Sequence, residues 1–367
     1  MKTKLTSLTA YEVEALRSQC NMADGHAKLS PAVGGLTRED LLKLSIKSQA
    51  AVEREFIEAF SSVSGQDFTT GGVVFFPSAS AAIDTVAKFL VGEGCTKVAL
   101  MEPVFDNLAL LLMRAGIQPI AIPEDAGAIV AAVESNDAVF LVAPNNPTGW
   151  LPEESLWAEI SESLHKTAKL LVVDRTFRLF AGSSPGLDSL VEGNPFVISI
   201  DDTGKTWSTL ECKVSFVSTC DQARRERIQA IAEEITLNVS PISLTICTEA
   251  IRIENGISRL ASAIKVNRLI LDPVFDSLGF HRLGSPLSFA LLAIPSWFKG
   301  DDCTLVHTLA MEGLAALPVS KFFWRHPWEG SRLIRFSLAR RRETAEQAAV
   351  LLTRFIGKVG DLSGSRS

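Results

Sequence analysis

From residue 73 onward the chain alternates short, continuous apolar runs with longer segments of helical periodicity. The runs are Val73–Phe76, Val98–Met101, Pro119–Ile122, Val139–Val142, Leu170–Val173, Val197–Ile200 and Val214–Val217. Segments such as Ser80–Val91 and Glu153–Thr167 lie between them and have the length of helices. A strand that is apolar at every position is buried on both faces, so the pattern predicts an α/β domain: a mostly parallel seven-stranded sheet with helices on both faces. This domain is placed at residues 46–255. After it the helical segments lengthen, one late strand is expected at Leu333–Leu338, and Glu343–Ile356 reads as a closing amphipathic helix. Residues 256–367 are therefore assigned to a smaller α+β domain, joined by the N-terminal segment 1–45. The polar end, Asp361–Ser367, is expected to fray.

In such sheets ligands bind beyond the carboxyl ends of the strands. The residues that follow the runs there are polar or turn-forming: Pro77–Ser80, Glu102-Pro103, Pro144–Pro147, Asp174 and Asp201–Thr203. Composition narrows the function classes. Apolar residues make up 47% and charged ones 21%, ordinary for a globular enzyme. A net charge of −6 argues against nucleic acid as a partner. No stretch has the ~20 apolar residues of a membrane span, and the N-terminus lacks the apolar core of a secretory signal. The six cysteines show neither paired nor zinc-like spacing, so free thiols and a cytoplasmic location are expected. The five histidines are dispersed and suggest no metal site.

Gly204-Lys205-Thr206 could end a phosphate-binding P-loop. That motif needs a glycine where Ser199 stands, inside an apolar run, which disfavours a nucleotide site. A lysine just after a strand can instead hold an aldehyde cofactor as a Schiff base.

Taken in order, these strand ends resemble the fold-type I pyridoxal phosphate enzymes, the aminotransferase-like family, over nearly the whole chain. Asn146-Pro147-Thr148-Gly149 is similar to the family turn whose asparagine bonds the cofactor's phenolic oxygen. By the same resemblance, Asp174 pairs with the pyridinium nitrogen, Lys205 is the Schiff-base lysine and Arg335 clamps the substrate α-carboxylate. Ser78 and Ser80 would hold the phosphate at a helix N-terminus, Phe105 would stack on the ring, and Thr176 belongs to the same cofactor set. Three positions depart from the pattern. Phe177 replaces a tyrosine, and the chain's one tyrosine is Tyr11. Asp202 replaces a phosphate-binding serine, and Lys213 stands where an arginine is usual.

A narrower resemblance addresses the departures. Leu8–Glu12, Asn21–Ala27, Phe105-Asp106-Asn107, Asp202–Trp207 and Ile334–Arg340 are similar to the pyridoxal phosphate- and O2-dependent L-arginine oxidases and hydroxylases. This resemblance implies that Glu12 and Asp202 hold a guanidinium, with Asp24 also on the substrate side. It implies a catalytic His26 on a segment that closes over the substrate, and a homodimer that uses no metal. The residues themselves leave other readings open. Thr9–Glu12 has the form of a capping box, His26 could be a plain loop histidine, Asp202 a solvated charge, Asp174 a cap and Lys205 a surface lysine. A conventional aminotransferase, an arginine-cyclising dehydratase and a non-catalytic cofactor-binding regulator are the rival functions.

Overall fold

The computed structural model describes residues 6–30, 47–69, 72–182, 184–209 and 211–364. The expected boundary between residues 45 and 46 lies outside the described residues. Helix α1 (Leu8–Ala15) and a two-residue strand β1 (Cys20–Asn21) precede helix α2 (Gln49–Ser64). Seven strands follow: β2 (Val73–Phe76), β3 (Lys97–Met101), β4 (Gln118–Ile122), β5 (Ala138–Val142), β6 (Leu170–Asp174), β7 (Val197–Asp202) and β8 (Ser215–Ser218). They form one sheet in the order β2-β8-β7-β6-β5-β3-β4. The five from β3 to β7 are parallel, and β8 pairs antiparallel with both β7 and β2. The seven apolar runs are the seven strands.

Burial on both faces explains why those runs are continuous. On one face Phe140, Val172 and Ile198 pack with Ile83, Val86 and Leu90 of helix α3 (Ala79–Gly92). On the other, Val139, Leu171 and Val173 pack with Trp157, Ile160 and Leu164. A third, aromatic cluster fastens the edge of the sheet. Phe60 of α2 meets Phe216 of β8 edge-on at 5.0 Å and Trp207 at 6.1 Å. Trp207 is fully buried two residues after Lys205, so aromatic packing anchors the turn that carries the lysine.

The C-terminal part holds a four-stranded sheet of β9 (His281–Leu283), β10 (Phe289–Ala293), β12 (Leu317–Pro318) and β13 (Leu333–Ser337); β11 (Leu314–Ala315) pairs in parallel with β1. The expected late strand is β13; β9, β10 and β12 add to it. The last helix runs from Arg342 to Gly364, so the expected fraying at 361 is corrected as far as Gly364; residues 365–367 lie outside the described residues. All six cysteines are free. Among the described residues no helix is long and apolar enough to cross a membrane, and no group of His, Cys, Asp and Glu could hold a metal ion.

Candidate active site

The carboxyl ends of β2, β5, β6 and β7 converge on a cavity of about 230 Å³. Its walls include Ser78, Ser80, Phe105, Asn146, Asp174, Thr176, Asp202, Lys205, Lys213, Arg335, Glu12 and His26, which are all the predicted site residues except Asp24. The large sheet places Asn146, Asp174, Asp202 and Lys205 because its parallel strands end on one side and successive residues alternate between faces, whereas Glu12 comes from α1, His26 from the loop after β1 and Arg335 from β13. Thus Asp174 and Asp202 enter the cavity. Their neighbours Arg175 and Asp201 turn away and pair with each other at 2.8 Å, fully buried.

Asp174 is buried, and its Oδ1 accepts hydrogen bonds from the Thr176 N–H (2.9 Å) and hydroxyl (2.5 Å). Burial pushes its carboxyl up to about 6 despite those bonds. A cation brought against it would favour its ionised form. Asn146 uses its Oδ1 to accept from Arg335 Nη1 at 3.0 Å, which leaves its Nδ2 donors for a bound oxygen. Phe177, where a tyrosine was the usual residue, is buried against Phe289 at 5.5 Å between ring centres.

Arg335 is fully buried on β13, with its guanidinium 4.0 Å from the centre of the Phe289 ring. Burial lowers it to about 10, with Glu12 and Asp24 acting in the opposite sense. It remains a cation near neutral pH, held in plane by an aromatic face and suited to a carboxylate.

At the sheet end of α3, Ser78 is the N-cap, accepting from Ala81 N–H at 3.3 Å. Asp202 is buried here rather than solvated. Its Oδ2 accepts from Ala79 N–H at 3.3 Å and its Oδ1 from Gly204 N–H at 2.7 Å. The carboxylate thus takes part of the helix N-terminus for itself, and Ser78, Ser80 and Lys213 on the same cavity wall are the donors left for a bound anion.

The capping-box reading of Thr9–Glu12 is corrected. The N-cap of α1 is Ser7, whose hydroxyl accepts from Ala10 N–H, so Thr9 lies inside the helix. Glu12 is thereby free to face the cavity: its Oε1 accepts from Gly25 N–H at 3.2 Å and lies 3.8 Å from Arg335 Nη2. Asp106 holds this helix in place by accepting Leu8 N–H at 2.9 Å. Burial raises its carboxyl to about 6.

Asp24 stands behind His26 and not on the cavity wall. Its Oδ1 meets His26 Nδ1 at 2.6 Å and accepts His26 N–H at 2.9 Å, while Oδ2 meets Lys28 Nζ at 2.7 Å. Burial alone would raise this carboxyl, but His26 and Arg340 pull it well below the ordinary carboxylate range. A carboxylate can only accept, so His26 Nδ1 donates to Asp24 and Nε2 is the nitrogen turned toward the lysines. That nitrogen lies 3.4 Å from Lys205 Nζ and 3.3 Å from Lys213 Nζ. The contact requires Gly204, because a Cβ there would come within 2.9 Å of the imidazole. Sequence reasoning missed Gly204's packing role, the Asp24–His26 pair, and Asn21, whose Oδ1 accepts the Ala23 and Asp24 N–H groups to form the turn. The adjacent turn residues Asp24-Gly25 were its one visible signal.

The family model for aminotransferase class I and II matches residues 36–349. The chain is similar to the solved structure of MppP soaked with the product 2-ketoarginine, at 26% identity and a TM-score of 0.79, covering 90% of this chain and 98% of that one. It shares its fold with the aspartate aminotransferase of Thermus thermophilus with maleate (14% identity, TM-score 0.76, 96% and 97% covered). YbdL of Escherichia coli, described with a methionine aminotransferase function, shares it too (18%, TM-score 0.75, 95% and 97%). No curated protein sequence matches. The acid for a ring nitrogen, the amide for a ring oxygen, the helix N-terminus and the lysine all fit one cofactor. The chain belongs to the aminotransferase class I and II family and is a pyridoxal 5′-phosphate enzyme of fold type I.

Proposed function

We propose that this enzyme oxidises L-arginine, or a close guanidino analogue, with O2 as electron acceptor. The observation that carries the reading is Glu12: a carboxylate from the N-terminal helix enters the same cavity as Arg335, Asp202 and Lys205. An amino acid held by its carboxylate at Arg335 then meets two acids, Glu12 and Asp202, able to receive a cationic side chain. The likeness to a protein whose product is 2-ketoarginine supports the same substrate class.

Bound at Lys205, pyridoxal phosphate supplies an electron sink that makes the substrate's Cα–H acidic. In the proposed assignment Asp174 faces the ring nitrogen, Asn146 the phenolic oxygen, Phe105 the ring, and Ser78, Ser80 and Lys213 the phosphate, with Thr176 fixing Asp174. Arg335 orients the substrate, and Lys205 Nζ takes the Cα proton. His26 Nε2, at 3.4 Å from that amine, accepts or returns a proton there, while Asp24 keeps its Nδ1 protonated. Thr9 and Glu12 of α1 wall the cavity and limit the access of water. The balance is arginine, O2 and water giving the 2-oxo acid, ammonia and hydrogen peroxide. A second O2 and a second water give the 4-hydroxy-2-oxo acid with a second peroxide. A homodimer is part of the proposal.

The fold neighbours that are aminotransferases keep a second reading in view: amino transfer from a basic amino acid to an oxo acid. The substrate claim is tested by measuring ammonia release from L-arginine, L-lysine, L-leucine and L-aspartate. Preference for arginine by at least tenfold supports it; preference for leucine or aspartate overturns it.

A further inference from the structure

Arg340 lies five residues beyond the carboxylate clamp, outside the cavity, and is fully buried. Burying a guanidinium is costly unless its N–H groups are satisfied. Here they are satisfied almost entirely by one loop. Nε donates to Asn21 O at 2.7 Å, Nη1 to His26 O at 2.8 Å and to Ala339 O at 2.9 Å, and Nη2 to Asp24 O. Three of these four carbonyls belong to the turn that carries the Asp24–His26 pair.

The frame behind Arg340 is itself fixed. Asn267 Nδ2 donates to both Leu338 O and Arg340 O at 2.8 Å, and Lys28 N–H donates to Ala339 O at 2.9 Å. On the far side of the loop, Ala27 N–H donates to Gly204 O at 3.2 Å, beside Lys205. Arg340 therefore spans from the small sheet to the loop, and the loop spans from Arg340 to the lysine's turn.

We propose that Arg340 is a positioning residue that sets His26 Nε2 against the Lys205 amine, acting through the backbone of residues 21–26. This rests on the reading of His26 as a proton-handling group. The planar fork matters: an ammonium in the same place can satisfy one or two carbonyls in no fixed plane, so lysine is not an equivalent. The positive charge is also 316 residues from Asp24 in sequence yet touches its carbonyl, and it favours the ionised carboxylate that fixes the imidazole tautomer.

The experiment is a double-mutant cycle of Arg340→Gln and His26→Asn, read as kcat on L-arginine. It is paired with hydrogen exchange at residues 21–28 in the cofactor-free protein. Arg340→Gln is expected to lower kcat roughly 10- to 100-fold, the scale of losing charged hydrogen bonds, and to speed exchange across 21–28. In the His26→Asn background the same change is expected to leave kcat within about twofold while exchange still accelerates. Multiplicative losses, or unchanged exchange, overturn the positioning role and leave His26's role standing. A His26→Asn variant with undiminished kcat removes the His26 reading, and the exchange data then decide whether Arg340 sets the loop. Should Arg340→Gln fail to fold, Arg340→Lys carries the same cycle.

Discussion

Replacing Glu12 by glutamine tests the substrate reading through one charge. The side chain is 17% exposed, so it interacts with other charges in a partly dry setting. Glutamine keeps an oxygen for Gly25 N–H, now 3.2 Å away, so α1 should stay seated and only the charge is lost. A hydrogen bond to a charged partner is worth about 1.5–3 kcal/mol. The kcat/KM for L-arginine should therefore fall about 10- to 150-fold. The expected sign for a neutral amino acid of similar length, such as L-norleucine, is different. Glu12 lies 3.8 Å from Arg335, where it competes with a substrate carboxylate, so removing its charge should leave norleucine unchanged or slightly improved. Steady-state kinetics on both substrates with a purified, cofactor-loaded variant decides the matter. Equal losses for arginine and norleucine would refute the assignment of Glu12 to the guanidinium.

Lys205→Ala should abolish covalent attachment of the cofactor: borohydride reduction should leave no adduct on the peptide containing residue 205, and a retained adduct there would refute the site. Asp106→Asn should change the pH dependence of stability. The Asp106 carboxyl is raised to about 6 by burial, so the folded state holds its proton more tightly than the unfolded state does. Stability from this group is full below the unfolded value near 4 and is lost as pH rises to about 6. In the variant that part of the fall between pH 4 and 6 should vanish, and the melting temperature at pH 8 should rise relative to wild type; an unchanged profile would refute it. Gly204→Ala should force the His26 ring away from Lys205, because a Cβ would stand 2.9 Å from it, and kcat should fall with little change in KM for arginine. Unchanged kcat would show that the contact is dispensable.

Much of the fold was legible because burial on two faces writes itself as uninterrupted apolar runs, and all seven became strands. The small sheet was less visible. Phe289–Ala293 is a short apolar run without alternation, which periodicity alone cannot separate from a buried helix. Asn146, Asp174 and Lys205 were legible as motif positions at or just after strand ends, and Arg335 as a motif position within the late strand. What escaped depends on contacts between distant parts of the chain. Asp24 carries the right chemistry for a substrate contact, but it lies off the cavity wall with its oxygens turned to His26 and Lys28. Glu12 has capping-box spacing, but Ser7, two residues before Thr9, caps the helix and frees it. Arg340 looks like one basic residue in a run of three, and only its carbonyl partners on residues 21–26 distinguish it from Arg341 and Arg342.

The central claim is that electrons from L-arginine go to O2. It is tested most directly by oxygen uptake in air with purified, cofactor-loaded enzyme and L-arginine, with no oxo acid added. Sustained uptake, with ammonia and hydrogen peroxide formed in step, is the predicted result. No uptake, together with amino transfer once an oxo acid is supplied, would contradict the account and make this protein a conventional aminotransferase.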